Sequence, residues 1–188
     1  MKRRLFVAIN LPDEIKTAIS RKIDRLQSLF GEQVRFLSSS SWHITMSFLA
    51  YQEDEALPTI IDAIKDVADK FVAPDIDITN LEYGPQSGLA RMLWLTTNSH
   101  TAEQLGPIKK QLENLLIDRG LKFPRTFKSF HPHITLAKFS QVSRKELPEL
   151  DEKLGLSFVA NGLEIMESTL KRSGAEYDSL SKASFDLL

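Results

Sequence analysis

The sequence predicts an α+β fold made of two pseudo-symmetric lobes, each an antiparallel sheet with helices, that face each other across one active-site groove. Two observations lead there. The order strand, helix, His-bearing strand, helix, strand is met twice, in residues 1–88 and again in 89–188. Two His-apolar-Thr-apolar segments, His43 to Met46 and His133 to Leu136, hold equivalent places in the two halves. The 188 residues are therefore read as a single domain with two interleaved lobes and an approximate internal repeat.

Leu5 to Ile9 is a short apolar run ending at Asn10 and Pro12, as expected of a buried strand followed by a helix with proline in its first turn. Ile15, Ile19, Ile23, Leu26 and Phe30 recur at spacings of three and four, which predicts an amphipathic helix over 13–30 closed by Gly31. Asp13 and Glu14 suit its N-terminus. Residues 42–49 have high β-propensity. A helical pattern then starts near Glu53, carries Leu57, Ile60, Ile64, Val67 and Phe71 on one face, and stops before Pro74. Strict alternation over 75–79 predicts a half-buried strand, and 84–88 supplies a turn. The second half begins with Met92 to Leu95 and a helix through Leu105, Ile108, Leu112 and Leu115 up to Gly120. Thr101 and Gln104 could form its capping box, and Pro107 moves its expected start toward Glu103. A loop over 121–132, a strand over 134–139, a short helix-like stretch over 143–154 and a strand over 158–165 follow.

Composition narrows the function. Cysteine is absent, which excludes disulfides, thiolate metal sites and a cysteine nucleophile. The apolar share of 42% and charged share of 26% are those of a globular protein, and the first apolar run is too short to span a membrane, so a cytoplasmic location is expected. A net charge of −1 leaves no global basic field to gather long nucleic acid. Any nucleic-acid contact must then be local, and basic residues gather at Lys122, Arg125, Lys128 and Lys138 and at Lys171 and Arg172.

In a strand, residues two apart share a face, so His43 and Thr45 point one way while Ile44 and Met46 point the other. His133 and Thr135 repeat this against Ile134 and Leu136. Two imidazoles on one groove suit transfer at phosphorus: one takes a proton from the attacking oxygen and the other gives one to the leaving oxygen. Either histidine can fill either role. The threonine hydroxyls can donate to the non-bridging oxygens, and Lys138 adds a full charge. A metal site at His131 and His133 is the rival chemistry, weakened by Pro132 and the lack of a matched carboxylate. No nucleophile elbow or phosphate-binding glycine loop occurs.

At these residues the sequence resembles the 2H phosphoesterase superfamily, and most closely its RNA 2′,3′-cyclic phosphodiesterase branch, also called 2′-5′ RNA ligase. Supporting matches are Arg4 to Ile9, the approach Phe130-His131-Pro132-His133, and Glu167 to Leu170 with Gly174 and Tyr177. The resemblance implies opening of an RNA terminal 2′,3′-cyclic phosphate, tRNA halves included, to a 2′-phosphomonoester, with neither metal nor other cofactor and no obligate protein partner. It implies His43 as proton donor, His133 as proton acceptor, and Thr45, Thr135 and Lys138 as phosphate holders. Phe48, Arg125, Lys128 and Arg172 are candidate RNA contacts, and Phe48 or Tyr51 could stack on a terminal base. Reverse 2′-5′ ligation is the same transfer with a ribose hydroxyl in place of water. Small cyclic phosphates, 2′-5′ oligonucleotides and a non-catalytic RNA-end binder are the alternatives. The chain departs from relatives at Ser47-Phe48-Leu49-Ala50, where a lysine and Phe-Leu-Gly are common, and at Lys138, where arginine is common.

Overall fold

A computed structural model describes residues 1–31, 33–125, 130–150, 153–171 and 174–186; Lys128 and Arg172 lie outside the described residues. The elements are β1 (Lys2–Asn10), α1 (Asp13–Gln27), β2 (Arg35–Phe36), β3 (His43–Glu53), α2 (Leu57–Ala68), β4 (Asp75–Gly84), β5 (Ala90–Thr97), α3 (Ser99–Asp118), β6 (His133–Val142), β7 (Lys153–Val159), β8 (Gly162–Lys171) and β9 (Gly174–Ser184). The strands lie in the order β7-β4-β5-β6-β3-β1-β8-β9, with β2 added to β6, and every named pairing is antiparallel.

Where β3 meets β6 the sheet is joined only through Ile44 and Ile134. On one side lies β3-β1-β8-β9 and on the other β7-β4-β5-β6, which gives the fold its two lobes. The halves of the chain exchange strands: β1 pairs with β8 from near the C-terminus, and β5 pairs with β4 from the first half. Helix α2 packs on α3, β8 and β9, α3 on β3 and β4, and α1 on β7. One apolar core runs through both lobes, from Val7, Ile44 and Ile60 to Leu93, Ile134 and Leu163. No helix among the described residues is long and apolar enough to cross a membrane.

Several elements differ from their sequence pattern for identifiable reasons. The first helix stops at Gln27, and Phe30, the last residue of the apolar stripe, packs half-buried against the core from the turn beyond it. The cap of α3 is Asn98, whose side chain accepts from Thr101 N at 2.9 Å. Thr101 is taken up elsewhere: its buried hydroxyl accepts from Asp77 N and donates to the Asp75 carbonyl, tying the helix to β4. Pro107 sits inside the helix on an exposed face, where the Glu103 carbonyl it leaves unpaired can meet water. The described residues of 143–154 form no α-helix: a single 3-10 turn at Arg144–Glu146 gives way to extended chain at Leu147, the residue before Pro148, and Lys153 and Leu154 open β7. The expected strand over 158–165 is the end of β7 and the start of β8, separated by Ala160 and Asn161, with Gly162 at φ +157 opening β8.

Candidate active site

The Ile44–Ile134 pair fixes the site. Because the pairing is antiparallel, His43 lies across from Thr135 and Thr45 across from His133. Both isoleucines are fully buried, so alternation turns the two His/Thr pairs to the opposite, half-buried face. Met46, Leu136 and Ala137 anchor the same strands in the core.

Each imidazole is held by an aromatic neighbour and by a carbonyl two residues upstream. His43 lies 4.8 Å from the Phe6 ring and meets Tyr177 edge-on at 5.2 Å, and it hydrogen-bonds the Ser41 carbonyl. His133 stacks on Trp94 at 3.9 Å, and its Nδ1 is 2.7 Å from the His131 carbonyl oxygen. A carbonyl only accepts, so Nδ1 carries the hydrogen and Nε2 of the neutral ring keeps its lone pair. Burial lowers the basicity of both rings, and His43 is pulled down to about 4, with His133 and Lys138 adding a smaller push in the same direction.

Cationic side chains gather on the His43 side of this pair. Lys138 is cross-strand partner to Arg35, and burial, then Arg35 and Arg4, favour its neutral form. The Tyr177 phenol is raised by burial despite the same two arginines, so it remains a neutral hydrogen-bond donor. A cavity of about 110 Å³ beside His43 is lined by Arg4, Phe6, Thr45, Phe48 and Tyr177. A wider one of about 480 Å³ opens from Tyr177 toward Arg35 and Ser38 to Ser41. Another hollow, about 550 Å³ by Asp66 and Arg119, contains no residue of either motif. Among the described residues no three of His, Cys, Asp and Glu converge as around a metal ion.

His43, Thr45, His133 and Thr135 are thus turned to one face, Lys138 is near enough to act on His43, and Phe48 lines the cavity beside it. Arg125 is exposed on the chain that follows α3 and is not part of the cavity lining beside His43. Sequence reasoning missed Arg35 and Trp94. Arg35 belongs to a two-residue strand with no periodicity to read, and its guanidinium rests against Gly174, where a Cβ would come within 2.7 Å of Nη1. Trp94 reads as core in an apolar run, yet β-alternation sends Leu93 and Leu95 inward and the indole toward His133.

Comparison with known proteins finds similarity in sequence and in fold. Residues 95–177, from β5 to Tyr177 and including the second motif, match the LigT-like phosphoesterase family model. Nearly the whole chain aligns with RNA 2′,3′-cyclic phosphodiesterases: 27% identity to that of Thermus thermophilus, over 96% of this chain and 89% of the relative, and 26% to that of Methanocaldococcus jannaschii, over 93% and 96%. In fold it is similar to a solved protein of Thermus thermophilus (TM-score 0.83, 24% identity, 97% of both chains). It is also similar to E. coli LigT complexed with 3′-AMP (TM-score 0.71, 24% identity, 98% of this chain and 99% of that one). The chain is thus similar over nearly its whole length to RNA 2′,3′-cyclic phosphodiesterases, and over 95–177 to the LigT-like phosphoesterases.

Proposed function

We propose that this protein hydrolyses the terminal 2′,3′-cyclic phosphate of RNA to a 2′-phosphomonoester, in the cytoplasm and without a metal. The observation that carries the reading is the antiparallel Ile44–Ile134 junction, which turns two His/Thr pairs onto one face. Relatives named RNA 2′,3′-cyclic phosphodiesterase support the choice of substrate.

In this reading water attacks phosphorus and gives its proton to His133 Nε2, the nitrogen left open by the Nδ1 bond to the His131 carbonyl. The phosphorus bond to the 3′-oxygen breaks as His43 protonates that oxygen. Thr45 and Thr135 donate to the non-bridging oxygens, and Lys138 supplies charge as a point cation rather than a planar fork. His43 is neutral in the free site and acquires its proton as the phosphate arrives, because an anion beside it offsets the repulsion from Lys138. A ribose hydroxyl replacing water gives a 2′-5′ bond by the same steps.

The test is incubation of a short RNA ending in a 2′,3′-cyclic phosphate, with and without EDTA, followed by identification of the product. A 2′-phosphate in both conditions is expected, with His43→Ala and His133→Ala each slowing turnover by about 10²- to 10⁴-fold. A 3′-phosphate product, full loss in EDTA, or an unimpaired histidine variant contradicts the proposal.

A further inference from the structure

The face that carries His43 continues past the catalytic pocket. Along β1, Asn10, Ala8, Phe6 and Arg4 alternate onto this face, and their partners on β3 are His43, Thr45, Phe48 and Tyr51. Phe48 and Tyr51 are three residues apart, and in an uninterrupted strand they would face opposite sides. The register slips between Leu5 and Phe6, and Ala50 takes a positive φ of 56°. This bulge returns Tyr51 to the side of Phe48, while Leu49 and Gln52 are buried on the other. A ladder therefore leads away from His43 through Thr45 and Phe48 to Tyr51, each step two residues of β1, or about 7 Å.

The outer rungs are open and chemically matched to nucleic acid. Phe48 is 38% and Tyr51 61% exposed. The Arg4 guanidinium lies 5.0 Å from the Phe48 ring centre, and its Nη1 donates to Ser168 Oγ at 2.9 Å. Aromatic faces for bases, with a held guanidinium for the phosphate between them, are what single-stranded nucleic acid requires. In a molecule of net charge −1, such a cation must act locally.

We infer that Tyr51 and Arg4 hold the nucleotide on the 5′ side of the one being opened, so that the preferred substrate is an RNA chain rather than a free cyclic nucleotide. The direction of that chain rests on the function proposed above. The experiment compares kcat/KM for adenosine 2′,3′-cyclic phosphate and for a trinucleotide with the same end, in the native protein and in Tyr51→Ala and Tyr51→Phe. The native protein is expected to favour the trinucleotide by roughly tenfold or more. Tyr51→Ala brings that ratio toward one, through KM for the trinucleotide, and Tyr51→Phe keeps it. An equal kcat/KM for both substrates in the native protein, or an undiminished ratio in Tyr51→Ala, overturns the inference. Fluorescence anisotropy of a labelled trinucleotide ending in a 2′-phosphate decides the platform independently of turnover. Binding weakened about tenfold in Tyr51→Ala supports the platform, and unchanged binding refutes it. If neither cyclic substrate is opened, the proposed hydrolysis fails while this binding result still stands.

Discussion

Gly84 faces the back of the Trp94 indole, and Trp94 stacks on His133 at 3.9 Å. A Cβ placed at Gly84 would lie 2.3 Å from indole Cε2, more than 1 Å short of the 3.4 Å at which ordinary contact begins. Three atoms of the ring are within 2.5 Å, so the obstacle is the rigid indole rather than the tip of a flexible chain. In Gly84→Ala the indole must shift by about 1 Å, and the ring stacked on it is the proposed base. A misplacement of that size costs on the order of 10²-fold in rate, or about 3 kcal/mol of barrier, and the overpacking costs ~1–3 kcal/mol of stability. The assay is single-turnover opening of an RNA cyclic phosphate, alongside urea unfolding and the imidazole ¹⁵N spectrum. We expect a slowed chemical step and a displaced His133 signal in protein that still unfolds cooperatively. Native kcat together with an unmoved His133 signal would refute the packing argument, since the alanine would then have been accommodated without moving the indole.

Three further perturbations test other parts of the structure. Ala50→Gly relieves the positive φ and should stabilise by about 0.5–1 kcal/mol in urea unfolding; a loss of stability would show that the bulge is not strained. Lys109 donates to the Met46 carbonyl and pairs with Glu113, which also accepts from Ser47, so Lys109→Met strands a buried carboxylate and should cost about 3 kcal/mol. The double variant Lys109→Met with Glu113→Gln should regain most of that in thermal unfolding; no recovery would mean that the charge pair is not the cause. Finally, both histidines are less basic in the fold than in the unfolded chain, so as pH falls the unfolded state takes up protons first. Their contribution is complete above about pH 6.5 and declines as pH falls, for His43 down to about 4, with ~3 kcal/mol as its upper bound at that half-buried ring. Native protein should therefore lose stability between pH 6.5 and 5 more steeply than a His43→Asn, His133→Asn double variant; identical slopes would contradict the burial of the neutral rings.

The catalytic strands were legible because their chemistry and their packing share one period. Ile44 and Ile134 mark the buried side, and the histidines and threonines follow by alternation. The helices over 57–68 and 99–118 were visible for the same reason. Strand β9 left no such trace: most of Gly174 to Ser184 is exposed or half-buried, so few apolar positions mark its inner face. Its Tyr177 reaches the site only because β9 pairs with β8 and β8 with β1, a chain of pairings that periodicity does not encode. Arg35 escaped for lack of any element long enough to read. The bulge at Ala50 was hidden as well, although the alanine in place of the glycine common in relatives was its one visible sign.

The two halves of the site are alike in backbone and unlike in charge, and that difference bears on the proposed roles. Each imidazole bonds a carbonyl two residues back and rests on an aromatic ring, so geometry alone leaves acid and base interchangeable. Charge distinguishes them. Lys138 acts on His43, whereas the repelling neighbours of His133 are other imidazoles, His131 and His43. In the proposed reaction a phosphate held by Lys138, Arg4 and Arg35 would offset the repulsion that adds to burial in keeping His43 neutral. The ring nearest the cations is therefore the one whose protonation depends most on substrate, as a general acid used once per turnover requires. His133, with its Nδ1 proton fixed on a carbonyl and no cation to be neutralised, stays ready to accept.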